Sequence, residues 1–253
     1  MSYISFIGIL IFIGCISSVC SQNIDGKLSL GVVIPCYSGH LKYLTRCLQS
    51  IQDSTLHPDI VAISFSSTTP DKIPSLSQFS FKIVTTITSD HKNAAQNRNL
   101  AANLIDTDIL TFFDADDEIH PQRLEIISKF FRNYPSYDAF YHNYIYLKNS
   151  GKTGSYIPVN IDRDWNALVH VDILQKDPNA IGLMVNPEYA RSHSIFDMAF
   201  AHGHVSVTNR LFIQHKFPDD KNSLGKEDSV YAADIIKEGY KIGHCPHPLS
   251  KYN

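Results

Sequence analysis

The chain has 253 residues, 43% of them hydrophobic and 19% charged, an ordinary globular composition with apolar material for a sizeable core. One large domain, or a domain with a small appendage, is the default at this length. The formal net charge of −3 supplies no electrostatic case for nucleic acid as a partner, since that favours a basic surface; a specific anionic ligand stays admissible if a metal ion or local cations accompany it.

The first 20 residues, MSYISFIGILIFIGCISSVC, carry no charged side chain. Residues 1–22 fit a signal peptide, with an apolar core and small residues suited to cleavage. They also fit a signal anchor holding the protein to a membrane through residues 3–20, because ~18 apolar residues lie near the lower limit for crossing a bilayer. Either would route the chain into the secretory pathway, luminal or membrane-anchored. A basic flank is missing and Lys27 follows on the far side, so orientation stays open. The alternative is a hydrophobic element buried in the fold. Cys15, Cys20, Cys36, Cys47 and Cys245 show neither CxxC nor regular spacing, which indicates no zinc module and no disulfide framework.

Downstream, short apolar runs alternate with helical patterns. LSLGVVIPC (28–36) reads as a buried strand ended by Pro35. In residues 40–54, Leu41, Leu44, Leu48 and Ile51 recur at three- and four-residue steps, one face of a helix. Strands are expected at 59–67 and 81–88, then an Ala- and Leu-rich helix at 93–105. A fourth strand opens DILTFFDAD, and a helix at 121–133 has Pro121 in its first turn, where proline is favoured. Further on, 137–148 alternates as a strand, NSGKTGS reads as a turn, 204–213 as another strand, and 226–240 as a helix closed by Gly239. Strand–helix alternation predicts an α/β domain with a mostly parallel sheet covered on both faces. Ligands then gather at the carboxyl ends of the strands.

The stretch DILTFFDADDEIH (108–120) runs from an apolar strand straight into Asp114, Asp116, Asp117 and Glu118. Like charges this close raise the cost of ionising all of them. A divalent cation removes that cost, and Mg²⁺ or Mn²⁺ is commonly held by one or two carboxylates plus substrate phosphates. By itself Asp-x-Asp fits a solvated turn equally well, with Asp117 or His120 capping the helix that begins near Pro121.

Three blocks in order carry more weight. VVIPCYSGHLKYLTRCLQSI resembles the opening of the family-two glycosyltransferases, which have the GT-A fold. NAAQNRNLAANLIDTDILTFFDADD resembles their next block, with an Arg-Asn pair in a helix before a strand that ends in Asp-Ala-Asp-Asp. GKEDSVYAADIIKEGYKIGHCPHPLSKY resembles the closing block, with a Glu-Asp pair at a helix start. The resemblance implies one GT-A-type domain over 28–253, with a Rossmann-like N-terminal half and a second half completing the site. It implies transfer of a sugar from a nucleotide-diphosphate sugar, usually a uridine one, to a glycan, lipid or protein hydroxyl.

In site terms the resemblance puts Pro35 and Tyr37 beside the nucleotide base. Asp114 and Asp116 would hold Mn²⁺ or Mg²⁺ and the donor's ribose and diphosphate, Asp117 could substitute for either, and His247 or His244 could add a metal ligand. Arg98 would lie near the donor, or else be a helix-surface arginine. Asp228, with Glu227 beside it, would face the acceptor hydroxyl as general base, a route that inverts the anomeric centre; helix capping is the bland role for that pair. The chain departs from the family in SFSSTT, where an Asp-Asp-Gly-Ser stretch usually follows the second strand; Ser64 or Ser66 would then meet a base edge. The aromatic residues of 137–147 could line a sugar site or be strand core, and the lone Trp165 could touch acceptor or core. HGH (202–204) and HCPH (244–247) lack zinc-finger spacing. A nucleotidyltransferase would need a Gly-rich basic loop after the first strand, which PCYSGHLKY is not. A catalytically inactive carbohydrate-binding relative is the non-enzymatic alternative, favoured by SFSSTT and opposed by the intact acidic motifs.

Overall fold

A computed structural model describes residues 27–146, 156–171, 204–221, 223 and 225–252. The apolar N-terminal segment and the expected turn at 149–155 lie outside the described residues. In chain order the elements are β1 (Leu30–Tyr37), α1 (Leu41–Gln52), β2 (Ile60–Ser66), β3 (Ile83–Ile87), α2 (Ala94–Ala102), β4 (Ile109–Phe112), β5 (Glu118–Ile119), α3 (Arg123–Asn133), β6 (Ala139–Tyr146), α4 (Trp165–Leu168), β7 (Val205–Thr208), α5 (Asn209–Gln214), α6 (Glu227–Lys237) and β8 (Ile242–Tyr252).

The strands form one sheet in the order β3-β2-β1-β4-β7-β6-β8-β5. β3, β2, β1 and β4 are parallel, and β8 lies parallel to β6; β7 and β5 run antiparallel to their neighbours. Alternation along the strands divides the interior in two. Val32, Ile34, Val61 and Ile63 pack with α1 and α3 on one face, whereas Val33, Ala62 and Leu110 pack with α2, α5 and α6 on the other. Helix α1 contributes Leu44, Cys47, Leu48 and Ile51 to the first face, the stripe that the spacing predicts. Tyr137 and Phe140 belong to that core, Phe140 stacked on Phe130 at 4.3 Å, so this aromatic stretch is largely strand core. Gly243 lets α3 sit close, because a Cβ there would lie 2.3 Å from the Phe130 ring. Among the described residues no helix is long and apolar enough to cross a membrane.

Two expectations need correction. Pro35 does not end β1: it pairs with Ser64, and the strand runs on to Tyr37. The ladder to β4 finishes at Val33–Phe112, so the missing proline N–H falls where β1 has a neighbour on one side only. The strand expected at 204–213 splits into β7 and α5. The Thr208 hydroxyl accepts the Leu211 N–H at 3.3 Å, and this cap starts a helix inside an apolar run that hydrophobicity alone reads as continuous strand. The helix ending at Gly239 behaves as expected, with φ at +84° and its N–H donating to Ile236 O. The closing strand β8 runs through two prolines; Pro246 and Pro248 are absorbed by register shifts against Asn143, whose side-chain amide donates to Pro246 O.

Candidate active site

β1, lying between β2 and β4, is where the strand order reverses, so its carboxyl end opens on the crevice where α/β sheets bind ligands. The acidic turn starts there: the Phe113 N–H donates to Val33 O at 3.0 Å, and Asp114 follows. Helix α1 grips the turn. The Cys47 thiol donates to Asp114 O (3.8 Å), Arg46 Nη2 donates to Asp116 O (2.6 Å), Arg46 Nε faces Glu118 Oε1 (3.2 Å), and Ser50 Oγ accepts the Ile119 N–H (3.1 Å).

Arg98 organises the centre. Helix α2 is fixed by a capping box between Asn93 and Gln96, and it delivers Arg98 to the turn at 3% exposure. Nη2 donates to both oxygens of Asp114 (3.0 and 3.2 Å), and Nη1 donates to Glu227 Oε1 at 2.7 Å. Burial opposes the guanidinium charge, but Asp114, Glu227 and Asp228 outweigh it and hold Arg98 above its usual value. The acidic turn and the first residues of α6, more than a hundred positions apart in sequence, therefore meet on one buried cation. The surface-arginine alternative for Arg98 is ruled out by that burial. Asp228 stands beside Glu227 with its Oδ1 accepting the Ser229 N–H at 2.7 Å.

Asp116 is treated differently. Its Oδ2 lies 3.5 Å from His40 Nε2. Burial raises its pKa and repulsion from Asp114 adds to this, against partial relief from His40 and Arg46. Hard oxygens with incompletely compensated charge are what a divalent cation accepts, and two carboxylates leave coordination positions for a diphosphate. The neighbouring thiols offer no soft alternative, since burial pushes Cys36 up to about 12 and Cys47 well above the ordinary thiol value. Among the described residues no three His, Cys, Asp or Glu side chains form a metal cage by themselves; Asp114 and Asp116 are the two aspartates of the turn that keep exposed surface, 18% each, for a cation that a substrate would help to hold.

Asp117 and His247 stand outside that set. Asp117 is fully buried, and its Oδ2 meets His204 Nε2 at 3.0 Å; His204 Nδ1 in turn meets the Ser250 hydroxyl. His247 sits against His120, ring centroids 5.6 Å apart, and His244 is buried with both ring nitrogens lacking a hydrogen-bond partner among the described residues. His120 serves the start of α3, its Nδ1 accepting the Gln122 N–H at 3.0 Å. Trp165 lies under Lys129 (4.9 Å) and packs against the core.

The base-side residues divide in the same way. Tyr37 is 44% exposed, its ring packed edge-on to His40 at 4.3 Å, whereas Pro35 is buried in β1. Ser64 and Ser66 are fully buried and occupied by one partner: Ser64 Oγ donates to Asn97 Oδ1 (3.0 Å), and Asn97 Nδ2 donates to Ser66 Oγ (2.7 Å). With both side chains at 0% exposure, neither hydroxyl presents a surface to a base edge. Sequence reasoning missed His40, Arg46, Asn97 and His204. The helical stripe His40–Tyr43–Cys47–Ser50 was the available signal for α1 meeting the turn; for His204 no local signal exists.

The profile described as Glycosyl transferase family 2 matches residues 31–197, more than half of the chain. Among curated proteins nothing matches the chain. Among solved structures, S. aureus TarS residues 1–349 in complex with UDP-GlcNAc superimposes with a TM-score of 0.61 at 14% identity, covering 89% of this chain and 58% of that one. The mannosyltransferase PcManGT from Pyrobaculum calidifontis, in complex with GDP-Man and Mn²⁺, gives 0.53 at 14% identity, covering 85% and 54%. This chain thus spans less than two thirds of the length of either, and at such identity the likeness shows the fold alone, the GT-A arrangement. With the profile match over β1 to β6 and the acidic turn, the chain belongs to glycosyl transferase family 2.

Proposed function

We propose that the protein transfers one sugar from a nucleotide-diphosphate sugar to an acceptor hydroxyl on a glycan, lipid or protein, with inversion, at the crevice between the acidic turn and the start of α6. The observation that carries this is the Arg98 bridge, which gathers Asp114 and Glu227 at the ligand-binding edge of the sheet. Asp114 and Asp116 would hold Mn²⁺ or Mg²⁺ against the donor's diphosphate. Bound there, the cation supplies Lewis-acid stabilisation of the leaving diphosphate. Asp228 takes the acceptor proton as general base. Glu227, committed to Arg98, keeps the head of α6 in place rather than moving a proton. Tyr37 offers its exposed ring to the nucleotide base; with Ser64 and Ser66 fully buried, base choice falls to Tyr37 and backbone groups at the ends of β1 and β2. The TarS and PcManGT complexes hold UDP-GlcNAc and GDP-Man, so both bases belong in a test. Residues 3–20 would carry or anchor the enzyme at the membrane of the secretory pathway.

A panel of UDP- and GDP-sugars with Mn²⁺, followed for sugar release, tests the reading. Release from one donor class is expected; use of pyrophosphate with a sugar phosphate, or glycan binding without turnover, would replace it. Asp228→Asn is expected to abolish transfer while donor binding persists, measured by nucleotide titration beside kcat. Equal loss of both would move Asp228 to the donor site. Asp116→Ala is expected to remove Mn²⁺-dependent nucleotide binding, and unchanged affinity would refute its role.

A further inference from the structure

We propose that Asp117, His204 and Ser250 form a buried thread that aims Asp114 and Asp116 at the donor's diphosphate and cation; this rests on the glycosyltransferase function proposed above. The three side chains come from the acidic turn, the start of β7 and the end of β8. Their exposures of 0%, 1% and 0% put them inside the fold. His204 Nε2 lies 3.0 Å from Asp117 Oδ2 and Nδ1 meets the Ser250 hydroxyl, so the imidazole bridges the other two side chains whichever tautomer it holds. The order Asp–His–Ser is that of a hydrolase triad. Ser250 cannot attack a substrate here, because it lies within β8, in register with Tyr144 of β6 and Ile119 of β5, with no exposed surface. The thread therefore acts by position.

What it positions follows from the neighbouring bonds. Ser250 is the register partner of Ile119, and the His120 N–H donates to Leu249 O at 2.8 Å. β8 thus holds residues 119–120 by backbone and residue 117 by side chain through His204. The Asp117 N–H donates to Asp114 O at 3.2 Å, closing the turn. On the opposite side α1 holds the carbonyls of Asp114 and Asp116. A turn pinned at both flanks presents its two outward carboxylates in one orientation, and a shift of Asp117 is passed to Asp114 through that closing bond. Groups that orient a ligating carboxylate without touching the ligand commonly matter for affinity. Asp117, His204 and Ser250 are positioning residues in this sense.

The test uses the full chain with Asp117→Asn, His204→Gln, Ser250→Ala and Ser250→Thr. Binding of UDP and of GDP, each with Mn²⁺, is followed by calorimetry, beside KM for donor, KM for acceptor, kcat and melting temperature. Asp117→Asn and Ser250→Ala are expected to weaken nucleotide–Mn²⁺ binding and raise donor KM by about 10-fold, with acceptor KM unchanged. Ser250→Thr, which keeps the hydroxyl, should recover most of the affinity. Ser250→Ala removes one buried hydroxyl and tests the thread even if Asp117→Asn fails to fold. Nucleotide affinity and donor KM unchanged in the variants, whatever the melting temperature does, would overturn the thread alone. A wild-type protein that binds neither nucleotide would sink the glycosyltransferase function, and the thread's role with it.

Discussion

On its open side the acidic turn faces Arg98, which shares its charge among Asp114, Glu227 and, at longer range, Asp228. On its buried side stands Arg123, equally enclosed but bonded to neutral oxygens: Nη2 donates to Phe112 O (2.7 Å) and Thr111 Oγ1 (3.1 Å), and Phe113 lies under the guanidinium at 5.0 Å. Burial pulls Arg123 down to about 10, whereas the acids around Arg98 hold it up. The two sides show that neighbouring acids need not share a role. Asp114 and Asp116 keep part of their surface, 18% each, while Asp117, one residue on, is fully buried against His204. A carboxylate is available for chemistry only where the fold leaves it solvent or a ligand to face.

The largest expected effect tests the open side. Arg98→Met leaves Asp114 and Glu227 half-buried without their common cation and should cost about 3–5 kcal/mol in urea unfolding; a loss under ~1 kcal/mol would mean that water already screens both acids, and the contrast with Arg123 would fail. Acid tests the buried side. Burial, with Arg123 adding to it, holds His142 well below the usual histidine range, and burial brings His244 to about 3 from 6.5. Between those pH values the unfolded chain binds a proton that the folded chain refuses. The stability contributed is therefore complete above pH 6.5 and drains as pH falls toward 3, by about 1.4 kcal/mol per pH unit for His244, or about 2 kcal/mol by pH 5. His244→Leu should flatten that slope in denaturant titrations from pH 7 to 5, and an unaltered slope would remove His244 from the account. The smallest effect belongs to Arg123→Met, which strands no carboxylate on Arg123's own hydrogen bonds and should change stability by about 1 kcal/mol either way. A loss equal to that of Arg98→Met would show that Asp117 leans on Arg123 as Asp114 leans on Arg98.

Much of the frame was legible in the sequence. The stripe Leu44, Leu48, Ile51, the buried runs around Val32 and Ile63, and Gly239 after a helix all act over a few residues, and each lands where its spacing indicates. The site was legible only as a set of candidates. Asp114, Arg98 and Glu227 do converge. Ser64 and Ser66 look available, yet the fold buries both against Asn97 of α2. The split of 204–213 turns on the Thr208 cap, which competes with an apolar pattern that would serve strand or helix.

The sequence by itself determined the alternation of strands and helices, the family, and the place of an acidic turn after a buried strand, because these depend on local hydrophobic period and short motifs. Only the tertiary structure decided which acids of that turn look outward and which cation joins the turn to α6. Those outcomes depend on side chains such as His204 and Glu227, brought into contact by β7, β8 and α6 from far along the chain. Burial and charge compensation are properties of that assembled contact, and no window of the sequence contains both partners.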